Sequence, residues 1–314
     1  MNFYKNSSKK YPHSMTKKFY IYIFFIFIFF YHGFAEADHK IIAVQSVRIK
    51  PYEKTIEGFK SVTGSDVKRI VISELNDTNI IKTINSFRPD IVLAIGMGAL
   101  QVVKEIKDIP VVYMMVFNPA SIIFGKKNIF GVSMSIPPEK QLNLFLKVLP
   151  HVKNIGLLYD PDRTGYIVKD AMIAAGKMNI NLIAKEIQNS RDVPSELLGM
   201  RKKIDVFWML PDLTLITPAT IKFLLLFSLE NKIPVLAFSD KYVELGALMS
   251  INIDAFDIGS QAGEIVNAIV SGSDLKNIKK VDARKSLISI NANIARKLEI
   301  NINNNIIKEA RIIK

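Results

Sequence analysis

Short apolar runs alternate with stretches of helical periodicity along most of the chain. Residues 41–44, 67–73, 91–95 and 111–116 are rich in β-branched side chains, and residues 52–62, 79–87 and 99–106 between them carry apolar positions at helical spacing. Apolar strands separated by helices of roughly ten residues build a parallel sheet buried on both faces, with right-handed crossovers. The rhythm then restarts. Strands are expected at 154–159, 182–186, 206–210 and 234–238, and helices at 165–178, 195–203 and 217–231. Thr217-Pro218 opens the last helix, with Thr as the cap and Pro at its first position. The pattern breaks at Leu149-Pro150, so it predicts an α/β protein of two Rossmann-like lobes with parallel sheets.

After Ser239 the spacing changes. A strand at 247–253, a helix at 258–270 and a strand at 286–290 are too few for a third lobe. They are expected to complete the first two by crossing between them. Lobe one then takes 38–149 plus about 250–272, and lobe two takes 150–249 plus about 278–300. Residues 301–314 read as a polar tail that frays.

The first 37 residues stand apart. Lys5, Lys9, Lys10, Lys17 and Lys18 precede thirteen consecutive Phe, Tyr and Ile residues, and Ala35-Glu36-Ala37 follows. Charged head, short apolar stretch and A-x-A site form a secretory signal peptide cleaved after Ala37. The apolar stretch is shorter than the ~20 residues of a spanning helix. An uncleaved leader anchoring the protein to the membrane is the alternative, and Met15 is a second candidate start.

The chain has 314 residues, no cysteine and a net charge of +13, which falls to +9 without the five lysines and one glutamate of the leader. Disulfides, thiolate chemistry and a lipidated N-terminal cysteine are thereby excluded. The remaining basic clusters, 201–203 and 276–280, are short and not interleaved with aromatics, so nucleic acid is not an expected partner. Beyond the leader only His39 and His151 remain, and neither has triad or metal-ligand spacing. Gly131-Val-Ser-Met-Ser lacks the closing glycine of a nucleophile elbow, and no Walker motif occurs. No cofactor, metal or catalytic residue is assigned, and the expectation is a binding protein rather than an enzyme.

Five segments carry a resemblance. They are Gly131-Val-Ser-Met-Ser-Ile-Pro-Pro-Glu-Lys-Gln-Leu, Leu149-Pro-His-Val-Lys-Asn-Ile-Gly-Leu-Leu-Tyr, Trp208-Met-Leu-Pro-Asp-Leu-Thr, Glu230-Asn-Lys-Ile-Pro-Val-Leu-Ala-Phe-Ser, and Gly246-Ala-Leu through Gly259-Ser-Gln-Ala-Gly. Their order and spacing, over residues 41–272, resemble the substrate-binding proteins of ABC importers with the periplasmic-binding-protein type I fold. The resembling branch is the one that includes tryptophan- and tyrosine-binding members. The resemblance implies three crossover segments between the lobes, a ligand in the cleft and an ABC permease of the inner membrane as partner. The protein is then expected in the periplasm, as a monomer.

In doubly wound sheets ligands lie beyond the carboxyl ends of the strands. Six such ends supply candidates. Ser46 follows the first strand. Gly96, Met97, Gly98 and Ala99 form a turn into a helix, suited to an anion, although the absent third glycine argues against a dinucleotide. Phe117 and Asn118 offer an aromatic face and an amide, or a plain Asn-Pro turn. Tyr159, Asp160 and Thr164 lie in a loop whose Arg163 either meets an anion or neutralises the acids. Trp208, Asp212 and Thr214 follow, with Asp212 either holding a ligand ammonium or serving the turn, and Trp208 either in the cleft or in the core. Ser239 and Asp240 end the series, with Asp240 also a candidate helix cap. An acid on lobe two facing an anion site on lobe one suits a zwitterion such as an amino acid, with an aromatic one first by resemblance. Two other classes remain open: a sensing subunit for a membrane signalling receptor, and a secreted enzyme on the same scaffold.

Overall fold

A short strand with every side chain enclosed belongs in the middle of a covered sheet, and the first half of the chain builds such a sheet. The computed structural model describes Met1 and residues 39–75, 79–278 and 280–314. The leader and its cleavage point, read in the sequence, lie outside the described residues except for Met1. Strands β1 (Ile41–Gln45), β3 (Ile91–Ile95) and β4 (Val111–Val116) are buried throughout. With β2 (Val67–Val71), β5 (Ile129–Ser133) and β11 (Val281–Asp282) they form a parallel sheet in the order β2-β1-β3-β4-β5-β11.

One face of this sheet is covered by α2 (Ile80–Phe87), α3 (Met97–Val103) and α4 (Ala120–Ile123), through Ile84, Leu100 and Ile123. The other is covered by α1 (Lys50–Thr63) and α10 (Ala255–Val270), through Ile56, Phe59, Ile258 and Val266.

The second sheet runs β7 (Asn181–Glu186), β6 (Asn154–Tyr159), β8 (Val206–Trp208), β9 (Val235–Ala237), β10 (Met249–Ile253) in parallel. Strand β12 (Ser286–Asn291) joins β10 antiparallel, and β13 (Arg311–Ile313) extends the edge parallel to β12. Helices α5 (Pro138–Val148), α6 (Pro161–Lys177) and α11 (Ala292–Lys297) cover one face. Helices α7 (Val193–Met200), α8 (Pro218–Asn231) and α9 (Asp240–Leu245) cover the other. Thr217 caps α8 as the sequence suggested, in a reciprocal box with Thr220.

The two-lobed parallel α/β architecture therefore stands. The chain passes between lobes at 134–137, at Asp254 and at 283–285. The first passage lies one helix before Leu149-Pro150, because Leu142 and Phe145 of α5 bury themselves in the core of the second lobe. Strand β10 is in the second sheet, and α10 makes the return to the first. The tail does not fray. Residues 304–309 form α12 (Asn304–Glu309), and β13 gains ladder partners on β12.

The return of α10 is enforced by unusually close contact with α1. A Cβ built on Gly259 would stand 1.8 Å from the Thr55 carbonyl oxygen, and one on Gly58 would stand 1.9 Å from that of Phe256. Only glycine lets the two backbones approach this closely. The Ser260 hydroxyl donates to the Gly58 carbonyl at 3.3 Å across the same contact. We expect Gly259→Ala to destabilise the fold by at least ~1–3 kcal/mol, the usual cost of overpacking. Gly176→Ala, near the end of α6 with nothing within 4 Å of the new methyl, should be neutral or slightly stabilising. Thermal and denaturant melts of the two variants make the comparison.

Candidate functional site

Strand order locates the site before any side chain does. The order 2-1-3-4-5 reverses direction between β1 and β3, and the second sheet reverses in the same way between β6 and β8. The crevice outside the carboxyl ends of such a pair is where doubly wound sheets take ligands. Ser46 and the Gly96–Ala99 turn occupy that position in lobe one, and Asp160 and Asp212 occupy it in lobe two.

In lobe one the structure brings Ser46, Gly96, Gly98 and Ala99 together. The Ser46 hydroxyl donates to the Ile95 carbonyl at 3.2 Å and accepts from the Ala99 N–H at 2.8 Å, stitching the ends of β1 and β3. Gly96 has φ +88°, and a Cβ there would meet the Tyr52 hydroxyl at 2.2 Å. Tyr52 was not among the expected residues. It stands in the first turn of α1, where burial pushes its hydroxyl pKa up. A Tyr opening the helix after the first strand was the available signal. One donor of the turn expected to meet an anion, the Ala99 N–H, is already taken by Ser46.

In lobe two Asp160, Thr164, Asp212 and Thr214 form one hydrogen-bonded group. Asp212 is fully buried. Its Oδ2 accepts from the Asp160 N–H at 2.8 Å and the Thr164 hydroxyl at 2.6 Å, and its Oδ1 accepts from the Thr214 N–H at 2.9 Å. Of the two readings of Asp212, these bonds support the one in which it serves the turn. Both oxygens are spent on joining the loop after β8 to the loop after β6. Asp160 is the acid nearer the surface. The Thr214 hydroxyl, 2.6 Å from its Oδ2, holds its carboxyl below the usual carboxylate range. Burial opposes this, while the Asp162 N–H and the Arg163 guanidinium reinforce it. Arg163 stands 3.6 Å from the same oxygen.

The remaining candidates separate. Trp208 belongs to the core, edge-on to Phe145 with ring centroids 5.4 Å apart. It is the last residue of β8, and its side chain enters the core on the sheet face that carries Phe145. Tyr159 is buried in the same cluster and donates from its hydroxyl to Glu186 at 2.8 Å. Phe117 leaves β4 after a bulge at Met115 (φ +58°) and packs against that second-lobe cluster. Asn118 takes a left-handed turn, and its carbonyl accepts from Ser121. Ser239 is the half-buried cap of α9 without a side-chain cap bond. Asp240 is occupied elsewhere. Its Oδ1 accepts from Ser250 at 2.7 Å and Asn252 at 2.5 Å, and its Oδ2 pairs with Arg311 at 2.8 Å, which fastens β13 to the lobe.

Around both stitched edges stand apolar side chains in solvent. Val47, Leu75 and Met97 are exposed beyond β1, β2 and β3, and Tyr166 on α6. Leu213 is 74% exposed although its two neighbours are hydrogen-bonded on either side. Among the described residues no cluster of acids and histidines is suited to a metal.

The sequence profile of a family described as ABC transporter substrate-binding protein matches residues 50–314. A tyrosine-binding protein of Clostridioides difficile is 26% identical over 255 residues, covering 77% of this chain and 73% of that protein. The ligand-free, open structure of a Clostridium difficile substrate-binding protein with adhesive properties superposes with a TM-score of 0.76. It is 23% identical, over 88% of this chain and 99% of that one. A Streptococcus pneumoniae ABC domain solved with L-Trp gives a TM-score of 0.61 at 22% identity, over 88% and 100% of the two chains.

Removing the Asp212 carboxylate leaves three donors without their acceptor, two of them buried. Asp212→Ala is expected to cost about 2–4 kcal/mol of stability. Asp212→Asn, which keeps one acceptor oxygen, should cost less. Chemical denaturation of the purified protein reads both. A melting curve for Asp212→Ala equal to that of the parent would show that the carboxylate does not hold the two loops together.

Proposed function

We propose, since the chain belongs to the family of ABC transporter substrate-binding proteins, that it captures an amino acid or similar zwitterion between its lobes for an ABC permease of the inner membrane. It does so as an exported monomer, and it binds without turnover. An aromatic amino acid is the first choice. The observation that carries the choice is the apolar rim: polar groups at each switch point are tied down by hydrogen bonds, while Val47, Leu75, Met97 and Leu213 stand free around them. Burying those side chains against a ligand's apolar part is favourable in proportion to the area removed from water.

Asp160 replaces Asp212 as the acid for the ligand ammonium. Its carboxylate is ionised and oriented by Thr214, and a carboxylate can accept further bonds beyond the two it makes inside the lobe. The Ser46, Tyr52 and Gly96 turn lies at the matching position of lobe one, where the Tyr52 hydroxyl is the polar group offered to the ligand's other end. Lobe closure around the ligand gives the permease a loaded form that differs from the empty one, the differential on which a partner must act. The tyrosine and tryptophan attached to the two relatives' names set the order in which ligands are tried.

Calorimetry with a panel of L-amino acids, after native mass spectrometry for a co-purified ligand, tests this reading. Binding of a large apolar or aromatic amino acid is expected. Asp160→Asn should weaken it roughly 10–100-fold, the worth of a hydrogen bond to a charged group. A co-purified sugar, together with no heat from any amino acid, overturns the ligand class. For export, mass mapping of the protein from expressing cells should find Asp38 at the N-terminus in the soluble periplasmic fraction. An intact leader in the membrane fraction would show an anchored form instead.

A further inference from the structure

The geometry points to Lys140 and Arg284 as positioning residues that hold the angle between the lobes, and through it the ligand affinity, without touching the ligand. This rests on the reading that the ligand is held between the lobes. Arg284 lies in the third passage, between β11 of the first sheet and β12 of the second. Its guanidinium grips lobe one through α10. Nη2 donates to Asp257 Oδ1 at 2.9 Å and to Glu264 Oε1 at 3.1 Å, and Nε adds a 3.2 Å bond to Asp257. Asp257 sits in the first turn of α10, just past the second passage, with its side chain almost fully buried. Burial opposes its ionisation, but Arg284 and Lys285 outweigh it and hold the carboxyl below the usual range.

A buried carboxylate does not readily give up the cations that pair with it. The backbone of Arg284 therefore travels with lobe one. Its carbonyl oxygen is gripped from the other side. The Lys140 ammonium donates to it at 2.7 Å, from the first turn of α5, just past the first passage and in lobe two. One residue is thus held by its side chain from one lobe and by its carbonyl from the other, next to all three passages. Rotation of the lobes is left to residues 134–137, to Asp254 and to the peptide after Arg284, with the Lys140 link as the tether across them. The next residue but one, Ser286, has a buried hydroxyl with no hydrogen-bond partner in this arrangement. Rotation beyond Lys285 can relieve it, so the third passage is the place where a second arrangement gains something.

The chain has no cysteine, so two can be introduced as label sites without interference. Lys107→Cys on lobe one and Lys177→Cys on lobe two are both exposed. Pulsed electron-spin distance measurement on the doubly labelled protein reads the interlobe distribution with no ligand added. Lys140→Met should broaden that distribution, and Lys140→Arg, which keeps a donor, should restore it. The bound amino acid should be held about 3–10-fold more weakly in Lys140→Met, since a smaller fraction of molecules has the competent angle. A distribution identical in Lys140→Met and the parent overturns the proposal. Arg284→Met is the stronger disruption, but it leaves Asp257 without its main cation and risks the fold, so Lys140 carries the test. The distance measurement needs no ligand, and its outcome is independent of whether the ligand class above is right.

Discussion

The contact between α1 and α10 is where two backbones meet with only glycine between them. Everything at the interlobe junction follows from it. A chain that has finished the second sheet at β10 must come back to the first lobe to lay α10 on α1, and must leave again to place β12 beside β10. Two of the three passages exist because of that return. They also put Asp257 and Arg284 within reach of one another, and Arg284 within reach of Lys140. A helix packed at ordinary distance could slide. One whose backbone touches its neighbour's cannot, so lobe one behaves as a body and motion is confined to the passages.

The two carboxyl edges solve the same problem with different chemistry. Loops that leave parallel strands carry polar backbone groups that must find partners. Lobe one uses a serine hydroxyl shared between β1 and β3, and a glycine turn roofed by Tyr52. Lobe two uses a pair of aspartates cross-linked by two threonines. Groups that looked like ligand chemistry in the sequence are largely consumed in this construction. What faces outward is the apolar set around them, with Asp160 the less deeply buried of the two acids.

Some of the site was legible. The apolar runs pointed to the strands, because runs of about five residues rich in β-branched side chains, separated by helical stretches, fit covered strands of a parallel sheet. The strand ends then gave Ser46, Gly96, Asp160 and Asp212, which do lie at the two switch points. Their roles were not legible. Whether Asp212 meets a ligand or its own loop depends on Thr164 and on the Asp160 N–H, 48 and 52 residues away in sequence. Trp208 and Asp240 stayed open between two readings in the sequence for a related reason. A residue at a strand end faces the crevice or the core according to its register, and a periodicity of two reveals faces but not which neighbour fills them. The C-terminal residues looked like a loose tail because their low complexity hides the one Arg that ties them to Asp240.

By itself the sequence determined the class of the protein: alternating periods of two and 3.6 residues demand helices on both faces of parallel sheets, and their repetition demands two lobes. Local rules sufficed for that, because strand burial and helix capping are settled within a few residues of each side chain. The tertiary structure alone decided which lobe owns α5 and β10, which carboxylate is enclosed and which lies nearer the surface, and how the three passages are bound together. Those outcomes turn on contacts such as Arg284–Asp257, Thr164–Asp212 and Lys140–Arg284, which are 27, 48 and 144 positions apart. Such contacts leave no periodic trace in the chain, and only the folded geometry brings the groups within the 3 Å at which hydrogen bonds form.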